Sequence, residues 1–153
     1  MNSRILLLKI LIILLGFKVQ AQTVLLDEIL TLPGDTSKVN KLNSITLSFA
    51  DLDSIILIGN LSSNLADSLD YTAGIALAEK NIGIGYYFKA DYLNAFGAWE
   101  KSLRNYTILG NQKGISNLKS NIGAVFEKQG NSEKALGYFL DALSVAKEIG
   151  DYE

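Results

Sequence analysis

The chain has no cysteine and no histidine, and only one proline, among 153 residues. The first two absences remove whole classes of chemistry. Without Cys or His there is no thiol nucleophile, no Ser-His-Asp relay, no disulfide and no zinc site of the usual donors. Packing alone must then hold the fold. The single proline is Pro33, so everything after it is free of the strongest helix breaker. An excess of positive charge is also missing, with 14 basic residues against 16 acidic. The apolar share, 48%, is that of a folded chain, and the length fits one domain.

The first 21 residues stand apart. Met1 to Arg4 is a short positive segment, and Ile5 to Phe17 is an apolar run broken only by Lys9 and Gly16. Val19-Gln20-Ala21 then offers small residues at the two positions a signal peptidase reads. This is the plan of a secretory leader cleaved after Ala21. A membrane anchor is the competing reading, but spanning takes about 20 apolar residues and this run is shorter and carries a lysine. No cysteine follows the cleavage point, which excludes lipid attachment there. The mature chain is therefore expected outside the cytoplasm, in the periplasm or on the extracytoplasmic face of a bacterial cell. Removing Arg4, Lys9 and Lys18 leaves eleven basic residues against sixteen acidic, a net charge of −5. No basic stripe remains for nucleic acid or for an anionic membrane surface.

What the chain does have is an internal echo. Residues 81–103, NIGIGYYFKADYLNAFGAWEKSL, align on residues 121–143, NIGAVFEKQGNSEKALGYFLDAL, at an offset of 40. Ile82 meets Ile122, Gly83 meets Gly123, Tyr86 meets Phe126, Ala95 meets Ala135, Trp99 meets Phe139 and Leu103 meets Leu143. A fixed period of this size marks a repeat architecture. Residues three and four apart share one helix face, so each unit reads as two antiparallel helices. Gly83 and Ala95 are small enough for close approach, and Tyr86 and Trp99 fill the space on either side.

In chain order, residues 22–35 are a lead-in segment, where Thr23 to Leu32 has the spacing of a short amphipathic helix. Pro33-Gly34 ends it. Residues 36–153 form the repeat domain, with units near 36–71, 72–111 and 112–151. Helices are predicted over Thr36 to Phe49 and Ile55 to Leu69, then Thr72 to Lys89 and Tyr92 to Leu109, then Gln112 to Gln129 and Ser132 to Ile149. The first unit is degenerate, with Asn43 in the glycine position and Gly59 in the aromatic one. Asp51, Asp91 and Asn131 or Ser132 are cap candidates, and Gly110, Gly130 and Gly150 are helix stops. Gly83-x-Gly85 is not a nucleotide loop, because it lies inside a helical pattern with no strand before it. Asp151-Tyr152-Glu153 aligns with the start of a first helix, so the last helix is expected to show an uncovered apolar side.

Ile82-Gly83-x-x-Tyr86 with Ala95-x-x-x-Trp99, and Ile122-Gly123-x-x-Phe126 with Ala135-x-x-x-Phe139, resemble the tetratricopeptide repeat family. The resemblance covers about Asp35 to Glu153. It departs from the family at Glu79 and Lys119, charged where an aromatic is usual, in the missing closing proline, and in a period of 40 where about 34 is usual. The resemblance implies an all-α fold, a right-handed α-solenoid of antiparallel helix hairpins with about three repeats. It implies a groove lined by the first helix of each hairpin, where ligand contacts would fall on Lys41, Lys80, Asn81, Ile84, Tyr87, Asn117, Asn121, Glu127 and Lys128. Asn81 and Asn121 admit a second use, tying neighbouring repeats together. With its leader, the chain is similar to the N-terminal sensory regions of bacterial histidine kinases and nucleotide cyclases.

The expected function is a scaffold that binds a protein or peptide through the groove, as the sensory part of a longer signalling protein. The alternative is a free-standing periplasmic adaptor that self-associates through its uncapped last helix, residues 132–149, where a second copy or further repeats would pack. An enzyme is not expected, because Asp91, Glu100 and Glu127 form no acid–base pair in an identifiable pocket. No cofactor or metal is expected either.

Overall fold

The computed structural model describes residues 20, 22–49 and 51–150, and among these every regular element is a helix. Residues 22–31 are helical (α1). Six helices follow: α2 (Thr36–Thr46), α3 (Leu52–Ser68), α4 (Thr72–Phe88), α5 (Tyr92–Ile108), α6 (Gln112–Lys128) and α7 (Ser132–Glu148). From α2 onward each helix packs on the next, and α2 also reaches α4. This is a helical repeat architecture. The leader residues up to Val19, Ala21 with its cleavage point, and Asp151 to Glu153 lie outside the described residues.

The five helices α3 to α7 each have 17 residues. Both ends explain the uniform length. At the C-terminal ends, Asp70, Ala90, Gly110, Gly130 and Gly150 all have positive φ, between 50° and 76°. That left-handed residue turns the chain back, and the next amide returns to the last helical turn: Tyr71 N donates to Ala66 O, Asp91 N to Tyr86 O, Asn111 N to Tyr106 O and Asn131 N to Phe126 O, at 2.8–3.0 Å. At the N-terminal ends, Asp51, Asp91, Asn111 and Asn131 accept from the backbone amides of Ser54, Asn94, Gly114 and Lys134. Each such cap stabilises its helix by about 1 kcal/mol. Tyr71 stands at the equivalent place before α4 with no side-chain cap, and its hydroxyl donates to Asn40 Oδ1 in α2 instead.

Two predicted bounds move. α2 stops at Thr46 instead of Phe49: the amide and the hydroxyl of Ser48 both bond back to the Ile45 carbonyl, which another helical turn would have paired with the amide of Phe49. α3 starts at Leu52 instead of Ile55, because Asp51 is its cap and leaves no room for a turn before the helix. Residues 22–31 form the short amphipathic helix expected there. Ile29 seats it against Leu42, Ile45 and Ile58, and Lys38 Nζ donates to the carbonyls of Leu30 and Leu32 at its end.

The main core runs through α4 to α6: Ala76, Ala95, Trp99, Tyr106, Ile115, Leu118, Ile122 and Val125. Each fully buried Leu or Ile there contributes about 1.5–3 kcal/mol. The glycines decide how closely the helices meet. A Cβ on Gly83 would stand 2.2 Å from Trp99 Nε1, and one on Gly123 would stand 2.7 Å from the Phe139 ring. The aromatic ring therefore occupies the glycine's own space, where the sequence suggested it beside a close Gly83–Ala95 approach. Gly85 is likewise an interior helix residue facing Ile56.

Polar side chains complete the joints between helices. Asn43 Nδ2 donates to Gly74 O, Ser62 Oγ donates to Asn43 Oδ1, and Asn81 Nδ2 donates to Asn43 O. Glu79 is buried and accepts from Ser63 Oγ and Lys101 Nζ, both at 2.6 Å. Forty residues on, Lys119 Nζ lies 2.6 Å from Asp141 Oδ2. The positions where the family resemblance called for aromatics therefore hold one member each of two ion pairs.

Candidate binding groove

α4 buries Gly74, Ala78, Asn81 and Gly85 and leaves Lys80, Ile84, Tyr87 and Phe88 at least partly open. The same positions on α6 are Ser120, Ala124, Glu127 and Lys128, and on α2 the open residues include Asn40, Lys41 and Ser44. Helix periodicity produces this: a face spent on the neighbours leaves a strip of different residues at i, i+4 and i+7.

The nine candidate residues divide by what they already touch. Asn81 is buried and its amide is committed to Asn43 O at 3.2 Å, so it serves as a tie between hairpins. Ile84 and Tyr87 are half-buried against the main core. Tyr87 sits among Phe88, Tyr92 and Trp99, with ring centroids 5.7, 5.7 and 5.6 Å away. Trp99 is itself fixed by its Nε1, which donates to Lys80 O at 3.0 Å. The outcome is an aromatic platform whose outer member, Phe88, is 68% exposed. Lys80 spends its carbonyl on the indole and leaves its ammonium without an ion pair among the described residues.

Asn121 differs from Asn81. It is half-buried, and its side chain makes no hydrogen bond among the described residues. The corresponding carbonyl belongs to Gly83 in the preceding hairpin. Lys41, Asn117, Glu127 and Lys128 are exposed and likewise uncommitted. α4 thus carries an aromatic end and α6 a polar stretch with free donors and acceptors. Phe88, next to Tyr87 at the end of α4, is the more open of the two.

A depression of about 220 Å³ lies elsewhere, lined by Lys134, Gly137, Tyr138 and Asp141. Its charged groups are already engaged: Asp141 with Lys119, and Lys134 over the Phe126 ring at 5.3 Å. Among the described residues, no group of three or more His, Cys, Asp or Glu is placed to hold a metal ion. No described helix is long and apolar enough to cross a membrane. No protein-family model matches the chain, and a search of curated proteins returns no match.

Proposed function

We propose that the chain is a tetratricopeptide-type scaffold, a right-handed stack of three helix hairpins, that holds an extended peptide or protein segment along α2, α4 and α6. The observation that carries this is the uncommitted amide of Asn121, half-buried in the strip between the free ends of Asn117 and Lys128. An asparagine amide offers one donor group and one acceptor, which matches a peptide backbone. The platform of Tyr87 and Phe88 supplies an apolar anchor at one end. On this proposal the mature chain is exported, as its leader implies, and serves as the sensory part of a longer bacterial signalling protein.

The test is selection of peptides from a random phage-displayed library on the full chain, followed by titration of the selected peptides. Asn121→Ala and Phe88→Ala are each expected to weaken binding about tenfold, on the scale of a hydrogen bond or aromatic anchor lost. Thr107→Ala, on the outer surface of α5, is expected to leave affinity unchanged. Peptides whose affinity ignores both groove variants would overturn the proposal.

A further inference from the structure

The two joints between hairpins are built differently. Between the first hairpin and the second, hydrogen bonds cross from helix to helix. Asn43 Nδ2 donates to Gly74 O and Asn81 Nδ2 to Asn43 O, joining α2 to α4. Ser63 Oγ donates to Glu79, joining α3 to α4. The Tyr71 hydroxyl donates to Asn40 Oδ1.

Forty residues on, none of these ties recurs. Gly83 stands for Asn43 and Leu103 for Ser63. Lys119, in the place of Glu79, pairs with Asp141 inside its own hairpin. Asn111, in the place of Tyr71, caps α6. Asn43 lies in the last turn of the short α2, so its carbonyl is left for Asn81 to fill. Gly83 lies inside α4, where its carbonyl already accepts an amide of its own helix.

The packing follows. A Cβ on Gly59 would stand 2.6 Å from Ile82, so closely do α3 and α4 meet. The counterpart of Gly59 in α5 is Trp99, and that of Ala66 is Tyr106. Both rings share one cluster with Ile115, Leu118 and Ile122 of α6. α5 packs on α6 less extensively than α3 on α4, and among the described residues α4 and α6 have no contact like that between α2 and α4. Crossing hydrogen bonds hold one register, whereas apolar contact has no directional requirement and tolerates sliding.

We propose that the stack carries a hinge between α5 and α6. α2 to α5 move as one body and α6 with α7 as a second, sliding on the rings of Trp99 and Tyr106. Trp99 belongs to the first body, because its Nε1 is bonded to Lys80 O. The swing moves whole helices and breaks no bond within them. On the groove reading, on which this last step rests, the swing sets the gap between α4 and α6, and a bound peptide holds it closed.

The chain has no cysteine, so spin labels on introduced thiols provide the test. Asp67→Cys with Gly97→Cys spans the first joint, and the equivalent pair, Thr107→Cys with Gly137→Cys, spans the second; all four positions are exposed. Nothing stands within 4 Å of a Cβ at Gly97 or Gly137. The distance distribution across the second joint is expected to be the wider, with the circular dichroism of the helices unchanged. Ser63→Ala with Asn81→Ala is expected to widen the first and leave the second as it was. Equal widths in the parent, or a first distribution indifferent to that double variant, overturn the hinge whether or not any peptide binds. A peptide selected on the full chain is expected to narrow the second distribution alone. A peptide that binds and leaves it as wide overturns the closure and not the hinge. A library that yields no binder overturns the groove reading, and the closure with it, but not the hinge.

Discussion

Glu79 and Lys101 form an ion pair at 2.6 Å across α4 and α5, and the equivalent residues of the next hairpin, Lys119 and Asp141, form the same pair with the signs exchanged. A hydrogen bond nearby is reversed in the same way. Ser102 Oγ donates to Ala76 O, and forty residues on Ser116 Oγ donates to Ala142 O. In these two hairpins the pair takes one charge of each sign from either helix, while in the first hairpin the same positions hold the apolar Val39 and Leu61.

That freedom is measurable. Glu79→Lys is expected to cost about 3–5 kcal/mol, because it leaves a charge near Lys101 with no counter-ion in a site where Glu79 is buried. Glu79→Lys combined with Lys101→Glu is expected to recover most of the loss, since α6 and α7 already use that polarity. Urea unfolding of the two single variants and the double variant gives the coupling directly.

The glycines separate into two groups with opposite expected responses. Gly83→Ala pushes a methyl into the Trp99 ring and is expected to destabilise by about 1–3 kcal/mol. Trp99 is the single tryptophan, so its fluorescence reports the shift locally. Gly97 and Gly137 lie mid-helix with nothing within 4 Å of an added Cβ. Alanine at either is expected to stabilise by about 0.5–1 kcal/mol in thermal unfolding.

Asp51 gives a prediction in pH. Hydrogen bonds from the side chain and the backbone amide of Ser54 hold its carboxyl below the ordinary value. The folded state thus keeps this proton off more readily than the unfolded one. The cap's contribution is full above pH about 4 and is lost as pH falls through the folded value. Asp51→Asn keeps the acceptor but does not titrate. It is expected to match the parent at pH 7 and to show a shallower stability loss on acidification, measured by urea midpoints at a series of pH values.

Much of the fold was legible because its determinants are local and repeat. Trp99 and Phe139, Gly83 and Gly123, Gly110 and Gly130 stand forty or twenty apart, and a helix hairpin satisfies them all. The full regularity was hidden because two of the turns place Asp70 and Ala90 where the others place glycine. Those two residues accept about 1–2 kcal/mol of left-handed strain, and no sequence signal marks them. Burial of Glu79 was also illegible: its partners Ser63 and Lys101 come from two other helices, 16 and 22 residues away. In the groove, Asn81 and Asn121 look alike in sequence. They part only because one faces Asn43 O across a tight joint and the other does not.

Because each helix from α2 on leans chiefly on those next to it in the chain, the hairpins can assemble in zipper fashion with little loop-closure cost. The same arrangement grades rigidity along the stack. The centre, around Trp99 and Ile122, is held from both sides, while among the described residues α7 is held from one. Backbone amides in α7 should therefore exchange with solvent deuterium sooner than those of α4 and α5, so that opening reaches this helix before it reaches the centre.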